Sequence, residues 1–353
     1  MRPRRIGIIG RIDPQGTLVD GQTVKTRTLY RCMVEHFGAA RICPVDTLRY
    51  RHQAVRVSRE LVRCLLSCDD IVVLLSNNGR RVFFPLLSLM ARVFDKRIYH
   101  NLIGGTLADD VAGDPSGRLA SYLNSFRVNW VESRSLAARL HDLGVRNASY
   151  LPNFKALGDV AVNPSFDRQR PHRLCMFSRV TAVKGVDNAV RAVEAINRTA
   201  QSPVVTLDIF GPVDDSYEQE FRALVDRAPS VRYRGRVPAE DSVRTISPYY
   251  ALIFPTEWIG EGVPGTIIDA MHASVPVVAS RWRYYSEMLE DGATGLSYDF
   301  DQPALLEETL LRFIALPPET IESMRREIHT RSTAYSVEAV FDQIALTVAQ
   351  ESR

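Results

Sequence analysis

Short apolar runs alternate along this chain with longer segments whose apolar residues recur every three or four positions. Residues 5–10, 39–45 and 71–76 are runs of the first kind; 23–37 and 81–94 are segments of the second. Unbroken apolar runs mark strands buried on both faces, as in parallel sheets, and the longer period marks helices. Further strands are predicted at 97–100, 128–131 and 148–150, with a helix at 133–143. Segment 151–163, with Pro152, Gly158 and then Pro164 close by, reads as a linker. The alternation then resumes. Strands are predicted at 174–177, 204–210, 231–234, 251–255 and 276–279, and helices at 186–198, 217–228, 266–273, 286–290 and from Pro303 onward. Repeated strand–helix units imply parallel sheets with right-handed crossovers. Two such series predict an α/β chain of two doubly wound, Rossmann-like domains, with ligands at the carboxyl ends of the strands.

Composition adds a compartment and a charge asymmetry. The 353 residues are 45% hydrophobic and 24% charged, as in a soluble globular protein. No run reaches the roughly 18 apolar residues of a membrane span. The start, MRPRRIGIIG, has too short an apolar part for a signal peptide and leads straight into a strand. The five cysteines contain no CxxC pair, so free thiols in a reducing cytosol are expected rather than disulfides or a zinc site. Net charge is only +3, yet residues 1–155 hold 24 Lys and Arg against 13 Asp and Glu. A basic first half suits an anionic partner.

Two loops carry the candidate chemistry. Residues 254–280 read FPTEWIGEGVPGTIIDAMHASVPVVAS, with seven residues between Glu261 and Asp269, among them Gly262, Pro264 and Gly265. A strand, a tight loop and a helix start give outward N–H groups and partial positive charge, which suit a phosphorylated ligand. The flanking acids suit hydroxyl-rich groups on either side, such as a sugar and a ribose. In FSRVTAVKGVDNAVR, Arg179 and Lys184 follow an apolar strand and precede a helix. Together they can neutralise a diphosphate, Arg as a planar fork and Lys as a point charge.

The second half resembles the nucleotide-binding domain of the retaining glycosyltransferases of family four, which have the GT-B fold. The blocks FSRVTAVKG, LDIFGP, VRYRGRVP, PTEWIGEGVPGTIIDAMHASVPVVAS and EMLEDGATGLSYD follow the family's order. The resemblance implies two Rossmann-like domains facing a central cleft: an acceptor-binding domain at 1–156, a nucleotide-sugar domain at 165–330, and a C-terminal helix within 331–353 crossing back to the first. It implies that Arg179 and Lys184 hold the donor diphosphate and that Glu261 faces the transferred sugar. Backbone N–H groups of Gly265 and Thr266 would bind phosphate, and Asp269 the ribose. Arg236 and Val237 would lie at the base. In the first half, Gly21 matches a turn near the donor phosphates, and His100 a histidine near the reacting centre. Asn101, Gly104 and Gly105 would line the acceptor pocket. Asp269 stands in place of the usual glutamate and Ser274 in place of the usual glycine.

The function so implied is retaining transfer of a sugar, UDP-linked by preference, to a glycan or lipid-linked acceptor in surface polysaccharide assembly. No cofactor or metal is expected beyond the nucleotide-sugar co-substrate. An inert nucleotide-sugar scaffold, an epimerase and a phosphorylase are the alternatives. The GIIG of the first strand lacks the G-x-G-x-x-G spacing of a dinucleotide site, and no Walker lysine is present. Arg56, Arg59 and Arg63 share a helical face that could touch anionic lipid from the cytoplasmic side, whereas RRVFFPLLSLMARVF is read as core. No aromatic residues interleave with the basic ones, so nucleic acid is not expected as a partner.

Overall fold

Five apolar or glycine residues in a row, all buried, form β1 (Ile6–Gly10), and strands that tolerate no polar face assemble into parallel sheets. The structure, a computed structural model, describes residues 5–50, 52–156, 166–167, 169–198 and 200–350. The chain divides into unit 1, Met1–Lys155 with Val337–Arg353, and unit 2, Ala156–Ser336.

Unit 1 contains β1, β2 (Ile42–Asp46), β3 (Asp70–Leu74), β4 (Arg97–Asn101), β5 (Val128–Val131) and β6 (Ala148–Tyr150) in the order β2-β1-β3-β4-β5-β6, with every pairing parallel. Its helices are α1 (Gly21–Phe37), α2 (Ala54–Ser67), α3 (Asn77–Val93), α4 (Leu107–Ala112), α5 (Arg118–Asn124) and α6 (Arg134–Asp142). The strand predicted from residue 39 starts later. Gly38 takes a positive φ of 85° and Ala39–Arg41 form a 3-10 turn before β2 begins. Pro44 has no N–H to donate, and β2 is an edge strand, where that is tolerated. The apolar segment read as core is split: Phe83, Phe84 and Leu87 are buried, while Val82, Leu89 and Val93 are exposed.

Unit 2 holds β7 (His172–Phe177), β8 (Val205–Phe210), β9 (Val231–Gly235), β10 (Ala251–Phe254), β11 (Val277–Arg281) and β12 (Gly295–Asp299), ordered β12-β11-β10-β7-β8-β9. Its helices are α7 (Val186–Arg198), α8 (Glu218–Asp226), α9 (Ser242–Ile246), α10 (Gly265–His272), α11 (Tyr285–Met288), α12 (Leu306–Ile314) and α13 (Pro318–Ser332). Helix α7 shows how the pattern works. Val186, Ala189, Val190, Val193 and Ile196 recur at three and four residues and are all buried against the sheet. After α10 the chain turns through Ser274 at φ 57°, a left-handed conformation that normally favours glycine. The predicted linker residues Gly158 and Pro164 lie outside the described residues.

The last helix, α14 (Val337–Gln350), belongs to unit 1. Val340, Ile344 and Val348 share one face and enter the same buried cluster as Leu29 and Met33 of α1. Ile344→Ala is therefore expected to cost about 2–5 kcal/mol, since Ile344 is wholly buried. Chemical denaturation of the variant measures this, and a change below about 1 kcal/mol would mean that the helix only rests on the surface.

Candidate functional site

In unit 2, β7 and β10 are neighbours, but β8 and β9 continue to one side and β11 and β12 to the other. Loops leaving the carboxyl ends of two such strands diverge, and the crevice between them is where α/β sheets bind ligands. The two loops are those picked out by sequence. The loop after β7 ends in a 3-10 turn, Ala182–Lys184, closed by Gly185 at φ 72°. A Cβ on Gly185 would lie 1.9 Å from the Pro255 carbonyl oxygen in the loop after β10. Only glycine permits that approach. The backbone seals the junction, with Glu257 N–H donating to the Val183 carbonyl at 2.9 Å.

That contact brings Lys184 to Glu261. Lys184 Nζ donates to Glu261 Oε2 at 2.5 Å, and the Thr256 hydroxyl donates to the same oxygen at 3.0 Å. Nζ also lies 4.6 Å from the Trp258 ring centroid, within cation–π reach. The two side chains are only 15% and 8% exposed, so the charges are largely desolvated and depend on each other. An ammonium has three donors; with one given to Glu261, others remain for an anion. Strand β11 braces the loop. Ser280 donates to the Thr256 carbonyl at 2.7 Å, and the Trp282 indole N–H to the Gly262 carbonyl at 2.9 Å.

Helix α10 starts three residues beyond Gly262. Pro264 at its N-cap offers no side-chain acceptor, so Gly265 and Thr266 begin the helix uncapped. The Thr266 hydroxyl oxygen is buried without a hydrogen-bond partner. Asp269, one turn on, is 2% exposed and lies on the same helical face as Thr266. Arg179 sits exposed just past β7; hydrogen bonds from the hydroxyl and backbone N–H of Ser216 hold the Asp214 carboxyl below its usual range, and the Arg179 charge adds to this. Arg236 and Val237 follow β9, two strands from β7, or roughly 10 Å across the sheet. The structure thus joins Lys184, Glu261 and the α10 start in one crevice and sets Arg236 and Val237 further along the edge. Sequence reasoning overlooked Thr256 and Trp258. Both stand in the quoted loop, but no spacing marks them; the structure shows Trp258 and Ile259 as exposed apolar residues.

In unit 1, Gly21 is the first residue of α1, with Asp20 as its cap and open space where a Cβ would stand. His100 is fully buried on β4. Its Nδ1 faces Asn129 Oδ1 at 3.1 Å, and its ring meets Phe84 edge-on. Asn129 uses its amide nitrogen on Leu123 and Asn147, so the proton belongs on Nδ1, and Nε2 is a buried acceptor with no partner. Burial, with help from the Arg80 and Lys25 charges, lowers the His100 pKa to about 3. Asn101 is buried beside it with its amide nitrogen unpartnered; Gly104 follows at φ 91°, and Gly105 is buried. A group that sequence reasoning did not assemble lies at this unit's own switch point, the ends of β1, β2 and β3. A cavity of about 380 Å³ there is lined by Arg11, Thr47, Arg49, Tyr50 and His52 among others. Basic residues just past strand ends were the available clue.

Residues 171–315 match the family described as glycosyl transferases group 1. Over nearly its whole length the chain superposes on known structures. One is Anabaena HepE in complex with UDP and glucose, with 13% identity, coverage of 99% of this chain and 100% of that one, and a TM-score of 0.72. Another is sucrose-phosphate synthase from Thermosynechococcus elongatus, with 16% identity, 99% coverage of each chain and a TM-score of 0.75. A third is the lipopolysaccharide outer core galactosyltransferase WaaB, with 14% identity, 98% and 99% coverage and a TM-score of 0.68. These likenesses establish the fold: two Rossmann-like α/β units of the GT-B kind.

The buried His100 has a measurable signature. An unfolded imidazole titrates near 6.5, the folded one near 3. Between these values only the unfolded chain takes up the proton, so stability falls as pH drops through 6.5, by about 1.4 kcal/mol per unit once well below it. His100→Asn, which keeps the bond to Asn129, is expected to remove one proton's worth of this slope between pH 6 and 4. Denaturation at several pH values tests it; equal slopes would place His100 in contact with solvent.

Proposed function

We propose that this chain is a retaining glycosyltransferase that moves a sugar from a nucleotide diphosphate donor to a hydroxyl acceptor. The observation that carries this reading is the desolvated Lys184–Glu261 pair at the switch point of unit 2, with an uncapped helix start beside it. The group 1 match over 171–315, which spans these residues, supports the same reading. UDP is the favoured nucleotide because UDP occupies the similar HepE structure.

In this mechanism the bond from the sugar's anomeric carbon to the diphosphate breaks, and its electron pair leaves with the phosphate oxygen. Lys184, Arg179 and the amides of Gly265 and Thr266 stabilise that charge, and the help is electrostatic. Their positive charge does the work otherwise given to a metal ion, so no cofactor is proposed beyond the co-substrate. Glu261 faces the sugar and Asp269 the ribose. The acceptor hydroxyl forms the new bond on the face the diphosphate leaves, and its proton passes to the departing phosphate. Arg236 and Val237 border the base.

The acceptor is proposed to bind unit 1, whose cavity carries Arg11, Arg49 and His52 and so suits an anionic group, as on a lipid-linked or acidic glycan. Asn101, Gly104 and Gly105 are the further acceptor-side candidates. A surface for lipid lies on α2. Arg56 is occupied by Gln53, Glu60 and the Asp46 carbonyl. Arg59 and Arg63 instead share an exposed face with Val55, Val62 and Leu66, at three-, four- and seven-residue spacings. No helix among the described residues is long and apolar enough to cross a membrane.

Glu261→Ala and Lys184→Ala are each expected to lower turnover at least about 100-fold while the far-UV circular dichroism is kept. Near-normal turnover in either would refute the site. A thermal-shift panel of UDP-, GDP-, ADP- and dTDP-sugars identifies the donor, and NMR of the product tests retention, an inverted linkage overturning it. Association with anionic liposomes is expected to fall with salt and with Arg59→Glu/Arg63→Glu. Salt-insensitive association would exclude the electrostatic part of this surface.

A further inference from the structure

Three of the five cysteines meet in the interior of unit 1. Cys43 lies on β2, Cys64 in the last turn of α2, and Cys68 at its C-cap. Their Sγ atoms all lie within 4.8 Å of one another, and all three residues are buried with free thiols. The spacing along the sequence hides this. Cys64 and Cys68 are one helical turn apart, but Cys43 reaches them only because α2 packs on β2.

The fold makes room for the sulfur. Gly7 on β1 pairs in register with Cys43, and a Cβ on Gly7 would stand 2.4 Å from Cys64 Sγ. The first glycine of the GIIG segment is thus explained by a thiol. Arg5 stands just before β1, and its buried Nε has no hydrogen-bond partner. An approach from outside exists, because Arg5 and Ser67 line a shallow surface depression next to Cys68.

We propose that Cys43, Cys64 and Cys68 form a binding site for one soft, thiophilic metal ion in trigonal sulfur coordination, with copper(I) as the fitting ion. Metal–sulfur bonds of about 2.3 Å around a trigonal centre require sulfurs about 4.0 Å apart, a shift of under an ångström from the arrangement seen. Thiolate sulfur selects soft ions. No fourth His, Cys, Asp or Glu joins the group among the described residues, and a closed zinc site calls for four ligands. On binding, three S–H bonds give their protons to solvent and three Cu–S bonds form. The copper stays Cu(I), so no oxidant or reductant takes part. The site belongs to unit 1, whereas the Lys184–Glu261 crevice belongs to unit 2, and it does not depend on the proposed transferase reading.

The test is an anaerobic titration of the reduced, full-length chain with Cu(I) in the presence of a chromophoric Cu(I) chelator. The expected result is one equivalent taken from the chelator, with a near-ultraviolet thiolate-to-copper absorption. Mass mapping should show Cys43, Cys64 and Cys68 alkylated more slowly in the Cu(I)-loaded chain than in the metal-free chain, while Cys32 reacts equally in both. Cys64→Ser and Cys68→Ser should lose the copper to the chelator, whereas Cys32→Ser should keep it. If the serine variants fail to fold, the alkylation map of the unaltered chain decides alone. Failure to compete with the chelator, protection of a different cysteine set, or tighter uptake of Zn(II) than of Cu(I) would each overturn the proposal.

Discussion

The candidate site depends on one ion pair. Lys184 and Glu261 come from loops 77 residues apart in sequence, and each is withdrawn from water. Removing one partner from such a pair costs about 3–5 kcal/mol, because the other charge is left buried alone. The pair therefore fixes both loops at once. It requires the close approach at Gly185, the bond from Glu257 to Val183 and the bracing of Thr256 by Ser280. With the loop after β10 held so, α10 starts at a set place and direction, and its free N–H groups point where the strand order leaves space.

How much of this the sequence disclosed depends on range. Apolar runs and three-to-four spacings exposed most strands and long helices, since those patterns are local. Helices α4, α5 and α9 run five to seven residues, too short for a period to register. Strand β12 alternates small and large residues and passes as loop. The Lys184 and Glu261 loops could be recognised because each carries its chemistry within a few adjacent positions. What could not be read was convergence. Neither the Lys184–Thr256–Trp258 cage nor the meeting of Cys43 with Cys64 and Cys68 leaves a spacing rule behind. The depth of His100 is equally invisible, because burial comes from Phe84, Phe126 and the neighbouring strands rather than from its own segment.

The two sheets use one rule to different ends. Each places its opening between strands from which the chain departs in opposite directions. In unit 2 the opening holds a neutralised pair and a helix start, so the positive potential there comes from the α10 N–H groups over a small volume. In unit 1 it is lined by basic residues on separate loops, Arg11, half-buried and paired with Asp20, and the exposed Arg49 at a left-handed φ of 55°. Focused charge suits a fixed, compact anion such as a diphosphate. Spread charge suits a larger and less uniform one.

Helix α14 lies after unit 2 along the chain but completes the core of unit 1. Unit 2 is thus an insertion, joined to unit 1 at both of its ends. During synthesis, which runs from the amino terminus at about 5–20 residues per second, the faces of Leu29 and Met33 must wait for Val340 and Ile344 to emerge. Unit 2 has all of its strands some forty residues earlier, at about residue 299. The ordinary order of amino-terminal domain first is therefore reversed at the finish. Of the two units, the one whose strands are made first closes last, because its core lacks Val340, Ile344 and Val348 until α14 arrives.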